Sequence, residues 1–135
     1  MKNMMKERRS GCVETEFERA KAAIEAMRIG AADTEEEIHM QAARMFEKAG
    51  LAAEHEVRLA PRCRIDFMIG TTGIEIKKKR PQRTELLAQL TRYAACKRVE
   101  ALLVLAPRGV DLPEKIGGKP VTMMSLEKLW GISLP

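Results

Sequence analysis

Two carboxylates and an ammonium lie inside apolar, strand-like sequence, where an unpaired charge costs free energy. Asp66 lies in residues 64–69, and Glu75 and Lys77 lie in residues 73–77. Both segments alternate polar with apolar residues, as strands with one buried face do, and the Gly-Thr-Thr-Gly sequence between them is typical of a turn. The sequence therefore predicts a β-hairpin that carries three charged side chains.

The register of this hairpin is open between two alternatives. A loop centred on Gly70 and Thr71 sets Asp66 opposite the glutamate. A loop centred one residue later sets Asp66 opposite the lysine. Because side chains alternate with period two along a strand, either register without a bulge places Asp66, Glu75 and Lys77 on one face of the sheet.

Two carboxylates a few ångströms apart repel each other unless a cation lies between them. Hard divalent ions such as Mg²⁺ take oxygen ligands, so a metal site at Asp66 and Glu75 is one interpretation. The alternative is a cross-strand ion pair between either carboxylate and Lys77, on a solvated face of the sheet.

The length and composition of the chain fit a single domain with its own core. The chain has 135 residues, with 24 Lys and Arg against 19 Asp and Glu, a formal net charge of +5. This excess of positive charge fits a polyanionic partner. Three widely spaced cysteines fit neither a disulfide framework nor zinc-ligand spacing and indicate a reducing compartment. No apolar run approaches the roughly 18 residues that span a bilayer, so we expect a soluble, cytoplasmic protein with no membrane partner.

Apolar spacing predicts the elements that position the charged residues. Residues 13–28 are expected to form an accessory helix, and a second helix begins at Thr34, where Glu37 completes a capping box, and ends at Gly50. The alternating residues 54–59 are expected to form the first strand, ahead of the hairpin. The core stripe of the second helix is predicted to be Ile38, Ala42, Met45, Phe46 and Ala49.

Beyond the hairpin, Pro81 and Thr84 introduce a third helix that runs to about Lys97. The unbroken apolar run at 101–106 is typical of a central strand that is covered on both faces. The order is therefore α-β-β-β-α-β with additions at both ends. The rest of the chain is predicted to form a surface loop at 107–120, an edge strand at 121–124 and a short helix from Ser125 through Trp130.

In this order of elements, Asp66 followed on the next strand by Glu75-Ile76-Lys77 resembles the PD-(D/E)XK nuclease superfamily, over about residues 34–106. Glu75 alone among the glutamates of the chain has a lysine two positions on, whereas Ile65 stands where the family has a proline. The resemblance implies an α/β, restriction-endonuclease-like fold: an αβββαβ core with a mixed central sheet flanked by helices. The domain division is then a basic N-terminal segment with an accessory helix (1–33) and one nuclease-like domain (34–135).

Gln89 and Tyr93 add a second match, because residues four apart share one side of a helix. A Gln-x-x-x-Tyr motif on the helix after the third strand is similar to the RecB-type exonuclease branch. Taken without that resemblance, Gln89 would be an exposed polar helix residue and Tyr93 a rim aromatic.

The same branch places a histidine or glutamate of the first core helix on the metal. His39 is one candidate, because imidazole ligates transition ions such as Mn²⁺, and Glu36 or Glu35, one turn earlier, are the others. Only one of these three residues is needed as the metal ligand. Glu56 is interpreted as an exposed strand residue, and Cys63 as a small core residue.

The function that the resemblance implies is metal-dependent hydrolysis of phosphodiester bonds in DNA, in repair, recombination or the processing of phage and mobile-element DNA. Asp66, Glu75 and the carbonyl of Ile76 would hold one or two Mg²⁺ ions, for which Mn²⁺ can substitute. Lys77 would orient the attacking water or stabilise charge on the phosphate, and the Gln-x-x-x-Tyr pair would position one of these groups.

The basic residues after the third strand are expected to contact backbone phosphates without reading sequence. Nothing in these residues separates DNA from RNA, or an exonuclease from an endonuclease. A homodimer or a partner protein is expected to add affinity. Two alternatives remain: a non-catalytic DNA-binding module with the same fold, and a structural domain whose charges are solvated. The predicted phosphate contacts are Lys78, Lys79, Arg80, Arg83 and Arg92.

Overall fold

The computed structural model of the protein describes residues 15–26 and 34–125. The basic N-terminal residues before 15 and the predicted helix after Ser125 lie outside this range. None of the described helices is long and apolar enough to cross a membrane. The helices are α1 (Glu16–Ala26), α2 (Glu35–Lys48) and α3 (Arg83–Ala94). The strands are β1 (Ala53–Ala60), β2 (Cys63–Ile69), β3 (Thr72–Ile76), β4 (Ala101–Ala106), β5 (Lys115–Ile116) and β6 (Lys119–Ser125).

The strands form one mixed sheet in the order β1-β2-β3-β4-β6-β5. The first three strands are an antiparallel meander, and β3, β4 and β6 run parallel, with α3 as the crossover between β3 and β4. Helices α1 and α2 pack on one face and α3 on the other. The predicted α/β class and the order α-β-β-β-α-β are confirmed for the described residues, with α1 as the addition before them.

The central strand β4 is buried along its whole length, as its apolar sequence predicts. It lies between β3 and β6, so both of its edges are hydrogen-bonded. Its side chains alternate between the two cores: Leu103 and Leu105 pack with α1 and α2, and Leu102 and Val104 pack with α3. An uninterrupted hydrophobic run is the consequence of having helices on both faces.

The start of α2 follows the predicted capping box. The Thr34 side chain accepts a hydrogen bond from the Glu37 backbone N–H, and the Glu37 side chain accepts one from the Thr34 N–H. Ala42 is buried as predicted, and Gly50 closes the helix in the left-handed region at φ 77°. Ala49 is exposed rather than part of the core stripe, because it lies beyond the last helical turn.

The bounds of α3 differ from the prediction at both ends. Its N-cap is Gln82, whose side-chain oxygen accepts a hydrogen bond from the Glu85 N–H at 2.8 Å, so Thr84 lies inside the helix. The helix ends at Ala94 and does not reach Lys97. The sequence did not predict this glutamine N-cap, because residues with shorter side chains are preferred at the N-cap position.

The predicted surface loop at 107–120 is wrong in its last third. Gly117 and Gly118 both have positive φ, 61° and 79°, and form the two-residue turn of a hairpin between β5 and β6. Strand β6 consequently begins at Lys119, two residues before the predicted strand, and it is not the predicted edge, because it lies between β4 and β5. Ser125 is its last residue, and its hydroxyl donates to the Pro107 carbonyl oxygen at 3.1 Å.

Gly73 in β3 leaves no room for a side chain. A Cβ atom added there would lie 2.5 Å from Cδ1 of Ile65 and 3.0 Å from Cδ2 of Leu102, and both of these residues are fully buried. We expect Gly73→Ala to lower the free energy of unfolding by about 1–3 kcal/mol, the usual cost of overpacking, as measured by urea denaturation.

A second substitution tests whether this cost is steric. Ile65→Val removes the nearer methyl group and alone should cost about 0.5–1.5 kcal/mol. The double variant Gly73→Ala, Ile65→Val should then lose less stability than the sum of the two single variants. If the losses in free energy of unfolding of the two single variants simply add in the double variant, the cost of Gly73→Ala comes from the backbone instead.

Candidate active site

The hairpin of β2 and β3 opens into a fork at Asp66. Phe67 pairs with Ile74, which selects the register with a loop at Gly70 and Thr71. At the next residue, Oδ2 of Asp66 accepts a hydrogen bond from the backbone N–H of Ile76 at 2.8 Å. A carboxylate thus takes the place of a strand carbonyl where β2 separates from β3.

Strand β2 reverses its side-chain alternation at the same point. Phe67 packs with α1 and α2, whereas Ile65 packs with α3, although the two residues are two apart. The pairing of β1 with β2 is interrupted between His55–Phe67 and Val57–Ile65. The regular alternation assumed in the sequence analysis therefore fails at Asp66, which lies between the two faces of the sheet.

Glu75 is the centre of a hydrogen-bonded network. Its Oε1 lies 2.9 Å from the Tyr93 hydroxyl, and its Oε2 accepts from Gln89 Nε2 at 3.2 Å. Lys77 Nζ lies 3.1 Å from the same Oε2. Gln89 Nε2 also donates to the Tyr93 hydroxyl oxygen at 2.9 Å. The structure thus brings together four residues from β3, the turn after it, and α3.

The Gln-x-x-x-Tyr pair of α3 is not the surface pair that the alternative interpretation expected. Tyr93 is 2% exposed, and Gln89 is half-buried. The Tyr93 hydroxyl also lies 2.9 Å from the Arg64 carbonyl oxygen, so its single proton is shared between that acceptor and Glu75. The pair therefore ties α3 to both β2 and β3.

Burial, and then the charge of Asp66, raise the pKa of Glu75 above its ordinary value, whereas Lys77 and the Tyr93 hydrogen bond lower it. Burial and the nearby Glu75 also raise the pKa of Tyr93, which therefore stays protonated and able to donate. A cation between Asp66 and Glu75 would offset both the burial and the repulsion of the two carboxylates. Oδ1 of Asp66 forms no hydrogen bond within the described residues and is open to such a cation. The donor set fits a hard divalent ion such as Mg²⁺.

The structure distinguishes the three candidate metal ligands of the first core helix. His39 is 6% exposed, and its Nε2 lies 3.4 Å from Oδ2 of Asp66. Glu35 lines the cleft beside Lys77. Glu36 is exposed and has no hydrogen bond or ion pair with any described residue, so the structure does not bring it to the site.

His55 was not recognised from the sequence. It lies on β1, and its Nε2 is 3.0 Å from Nδ1 of His39, so the two histidines of the chain are in contact. The signal available in the sequence was that the chain has only two histidines. Their contact joins residues 16 apart and depends on the packing of α2 against β1, which the sequence does not show. Glu56 is half-exposed, as expected, and Cys63 is buried in the core beneath α3.

A cleft of about 700 Å³ lies beside the network, and Lys77 and Gln89 connect Glu75 to it. Four of the five predicted phosphate contacts line this cleft: Lys78, Lys79, Arg80 and Arg92. Arg80 also lines a second cleft of about 620 Å³ with Arg108. Arg83 lines neither cleft, and its Nε donates instead to the Asp111 carbonyl oxygen at 2.7 Å.

Comparisons of the chain with family models, with curated proteins and with solved structures found no match in any of the three. The superfamily resemblance therefore stays a prediction from the residues. The site consists of a buried carboxylate network, a second carboxylate where β2 separates from β3, and a basic cleft.

The His39–Asp66 contact makes the stability of the metal-free protein depend on pH. The Asp66 carboxylate, whose Oδ2 lies 3.4 Å from Nε2 of His39, raises the pKa of His39 above its ordinary value of 6.5, although burial opposes this. A raised folded-state pKa stabilises the folded state at pH values below 6.5, and this contribution is lost as the pH rises through the raised pKa. We expect urea denaturation in EDTA to show this loss, and His39→Asn to remove it.

Glu75→Gln is the matched control for this pH dependence. Glu75 also has a raised pKa, but its ordinary value of 4.5 means that its own loss of stability begins at lower pH. The variant should therefore keep the loss that begins above pH 6.5. If His39→Asn left the pH profile unchanged, the loss would belong to another group.

Proposed function

We propose that the protein is a metal-dependent deoxyribonuclease of the PD-(D/E)XK type, with a restriction-endonuclease-like fold. The observation that carries the proposal is the network at Glu75, in which Lys77, Gln89 and Tyr93 hold one buried carboxylate beside Asp66. These residues come from three elements and were selected from the sequence by their types and spacing. A solvated cross-strand ion pair would not need a buried glutamate with three donors around it.

The arrangement of the sheet supports the fold assignment. An antiparallel meander of three strands, a crossover helix and a parallel fourth strand is the αβββαβ order that the resemblance implies. Asp66 lies on the second strand of the core, the Glu75 triplet on the third, and the Gln-x-x-x-Tyr pair on the crossover helix. The proposal keeps the roles that the resemblance gives to Asp66, Glu75 and Lys77, and it gives Gln89 and Tyr93 a different role, the positioning of Glu75.

In the proposed site, Asp66, Glu75 and the Ile76 carbonyl would hold Mg²⁺, or Mn²⁺ in its place, with His39 as the ligand from the first core helix. When bound, the ion supplies positive charge and Lewis acidity at the scissile phosphate. Lys77 would orient the attacking water or stabilise charge on the phosphate, and its Nζ lies 3.1 Å from Oε2 of Glu75. Gln89 and Tyr93 fix the carboxylate of Glu75 by hydrogen bonds.

The basic cleft is the proposed path of the nucleic-acid backbone. Lys78, Lys79, Arg80 and Arg92 line it around the entrance to the network, and lysine and arginine bind phosphates without reading sequence. DNA is the proposed substrate, and RNA is tested beside it in the cleavage experiment. A chain of this size covers few base pairs, so a homodimer or a partner protein is proposed to add affinity. A monomer in sedimentation that cleaves DNA alone would refute that part.

Cleavage of labelled DNA tests the proposed activity. Linear duplex, single-stranded, flap and four-way-junction DNA and a matched RNA are incubated with Mg²⁺, Mn²⁺ or EDTA. Mg²⁺ should support cleavage that EDTA abolishes. Glu75→Gln and Lys77→Ala should lower the rate by about 10²–10³-fold, because each removes a group that acts on the transition state.

Matched controls separate catalysis from general charge effects. Glu47→Gln and Lys115→Ala make the same kinds of change at exposed positions that line neither cleft, and they should cleave at the wild-type rate. Mg²⁺ should raise the melting temperature of the wild type but not of Glu75→Gln, because a ligand of the native state stabilises it. DNA binding without cleavage under every metal would instead favour the non-catalytic DNA-binding module.

The salt dependence of DNA binding tests the cleft. Each phosphate contact contributes about −0.9 to the slope of log K against log salt concentration on duplex DNA. Arg80→Ala and Arg92→Ala should each make the slope shallower by about that amount, as measured by fluorescence anisotropy in EDTA. Arg83→Ala should change it less, because Arg83 is hydrogen-bonded to Asp111 outside the cleft. If all three arginine substitutions changed the salt slope equally, the proposed path of the nucleic-acid backbone along the cleft would be contradicted.

A further inference from the structure

A second group of metal-ligating side chains lies on the β1 side of His39. Nδ1 of His39 is 3.0 Å from Nε2 of His55, which is 3.9 Å from Oε2 of Glu56. One ligand atom from each of the three residues lies within 4.8 Å of the other two. We propose that His39, His55 and Glu56 bind a divalent transition-metal ion such as Zn²⁺, at a site separate from the carboxylates of Asp66 and Glu75.

The donor atoms select the kind of ion. Two imidazole nitrogens and one carboxylate oxygen suit Zn²⁺ and its neighbours in the first transition row, whereas Mg²⁺ prefers oxygen ligands alone. Zn²⁺ sites with three protein ligands complete their coordination with water. The side chains of His55 and Glu56 are 41% and 52% exposed, so water has access to a fourth position.

The spacing of the ligand atoms is close to what a tetrahedral ion requires. Bonds of about 2.0–2.1 Å to nitrogen and about 2.0–2.2 Å to oxygen place ligand atoms roughly 3.4 Å apart. The observed separations of 3.0 Å and 3.9 Å each differ from that value by about 0.5 Å. The exposed Glu56 side chain has the freedom to make this adjustment.

The backbone at Glu56 brings two neighbouring ligands to the same side of β1. Adjacent residues on a regular strand point to opposite faces of the sheet. Glu56 has φ 54°, in the left-handed region, which costs a non-glycine residue of order 1–3 kcal/mol and breaks the alternation. Its side chain consequently turns toward the imidazole of His55.

Neighbouring side chains orient the two exposed ligands. The ring of His55 stacks on Phe67, with the ring centroids 4.7 Å apart. Arg64 lies 3.7 Å from Oε1 of Glu56, which leaves Oε2 to face His55. An outer partner on one carboxylate oxygen, with the other oxygen free for the ion, is a common arrangement around protein-bound metals.

His39 links this site to the carboxylate site. A neutral imidazole has one N–H and one lone pair, so His39 ligates an ion through one nitrogen at a time. An ion on Nδ1 leaves a proton on Nε2, a buried nitrogen that has no hydrogen-bond partner among the described residues and lies 3.4 Å from Oδ2 of Asp66. Ligation through Nε2 instead requires Nδ1–H to donate to His55. If the proposed nuclease function holds, Zn²⁺ therefore competes with the active-site ion for His39.

Cobalt absorption tests the histidine site directly. The metal-free protein is titrated with Co²⁺ in excess Mg²⁺, which occupies hard oxygen sites, and the visible absorption of cobalt bound to nitrogen is followed, with displacement by Zn²⁺. His55→Ala and His39→Ala should weaken Co²⁺ binding by about 10-fold or more. Glu56→Gln should weaken it to a smaller extent, and Glu75→Gln should bind as the wild type does.

Glu54→Gln is the control for charge on β1, because Glu54 lies on the same strand and pairs with Arg98. Circular dichroism melts verify that each variant is folded, and His55→Gln replaces His55→Ala if the latter is not. Loss of Co²⁺ binding in Glu75→Gln with retention in His55→Ala would overturn the proposal, as would a wild type that binds no Co²⁺. Absorption does not depend on DNA cleavage, so a failed nuclease assay leaves this result intact.

Discussion

The buried negative charge of Glu75 is the constraint on which the site depends. A carboxylate removed from water must be paired or hydrogen-bonded, and here three donors surround one side chain. Burial, and then the nearby charge of Asp66, raise the pKa of Glu75, and Lys77 and Tyr93 offset this only in part. The network therefore keeps Glu75 in place but leaves unfavourable charge that a bound cation would neutralise.

Tyr93 shows that this network also holds the fold together. Its ring is buried in the core beneath α3, while its hydroxyl reaches the Arg64 carbonyl of β2 and the Glu75 carboxylate of β3. Strands β2 and β3 no longer pair beyond Phe67 and Ile74, so Tyr93 bridges a gap between them that backbone hydrogen bonds leave open. A substitution at Tyr93 acts on stability as well as on Glu75, and its effect on activity alone does not measure a catalytic role.

The parts of the molecule that follow from local sequence were predictable. The capping box at Thr34 and the buried strand at 101–106 depend on residues close in the chain or on composition, and the structure confirms both. The hairpin itself was predicted, but the sequence leaves its register open between two turns, and the pairing of Phe67 with Ile74 selects the turn at Gly70 and Thr71. The contact of Gln89 with Glu75 was not predicted, because helix spacing placed Gln89 and Tyr93 on one side of the helix but did not show which group they would contact.

The features that were missed depend on contacts between distant segments. No local pattern predicts that His55 reaches His39, because that contact requires the packing of α2 against β1. The left-handed backbone of Glu56 is equally hidden, since glutamate has no preference for it. The irregularities at Glu56 and Asp66 face each other across β1 and β2, where the pairing is interrupted. At this break Asp66 lies next to His39, and Glu56 lies next to His55, which contacts His39. Charge and backbone strain therefore concentrate at the same place.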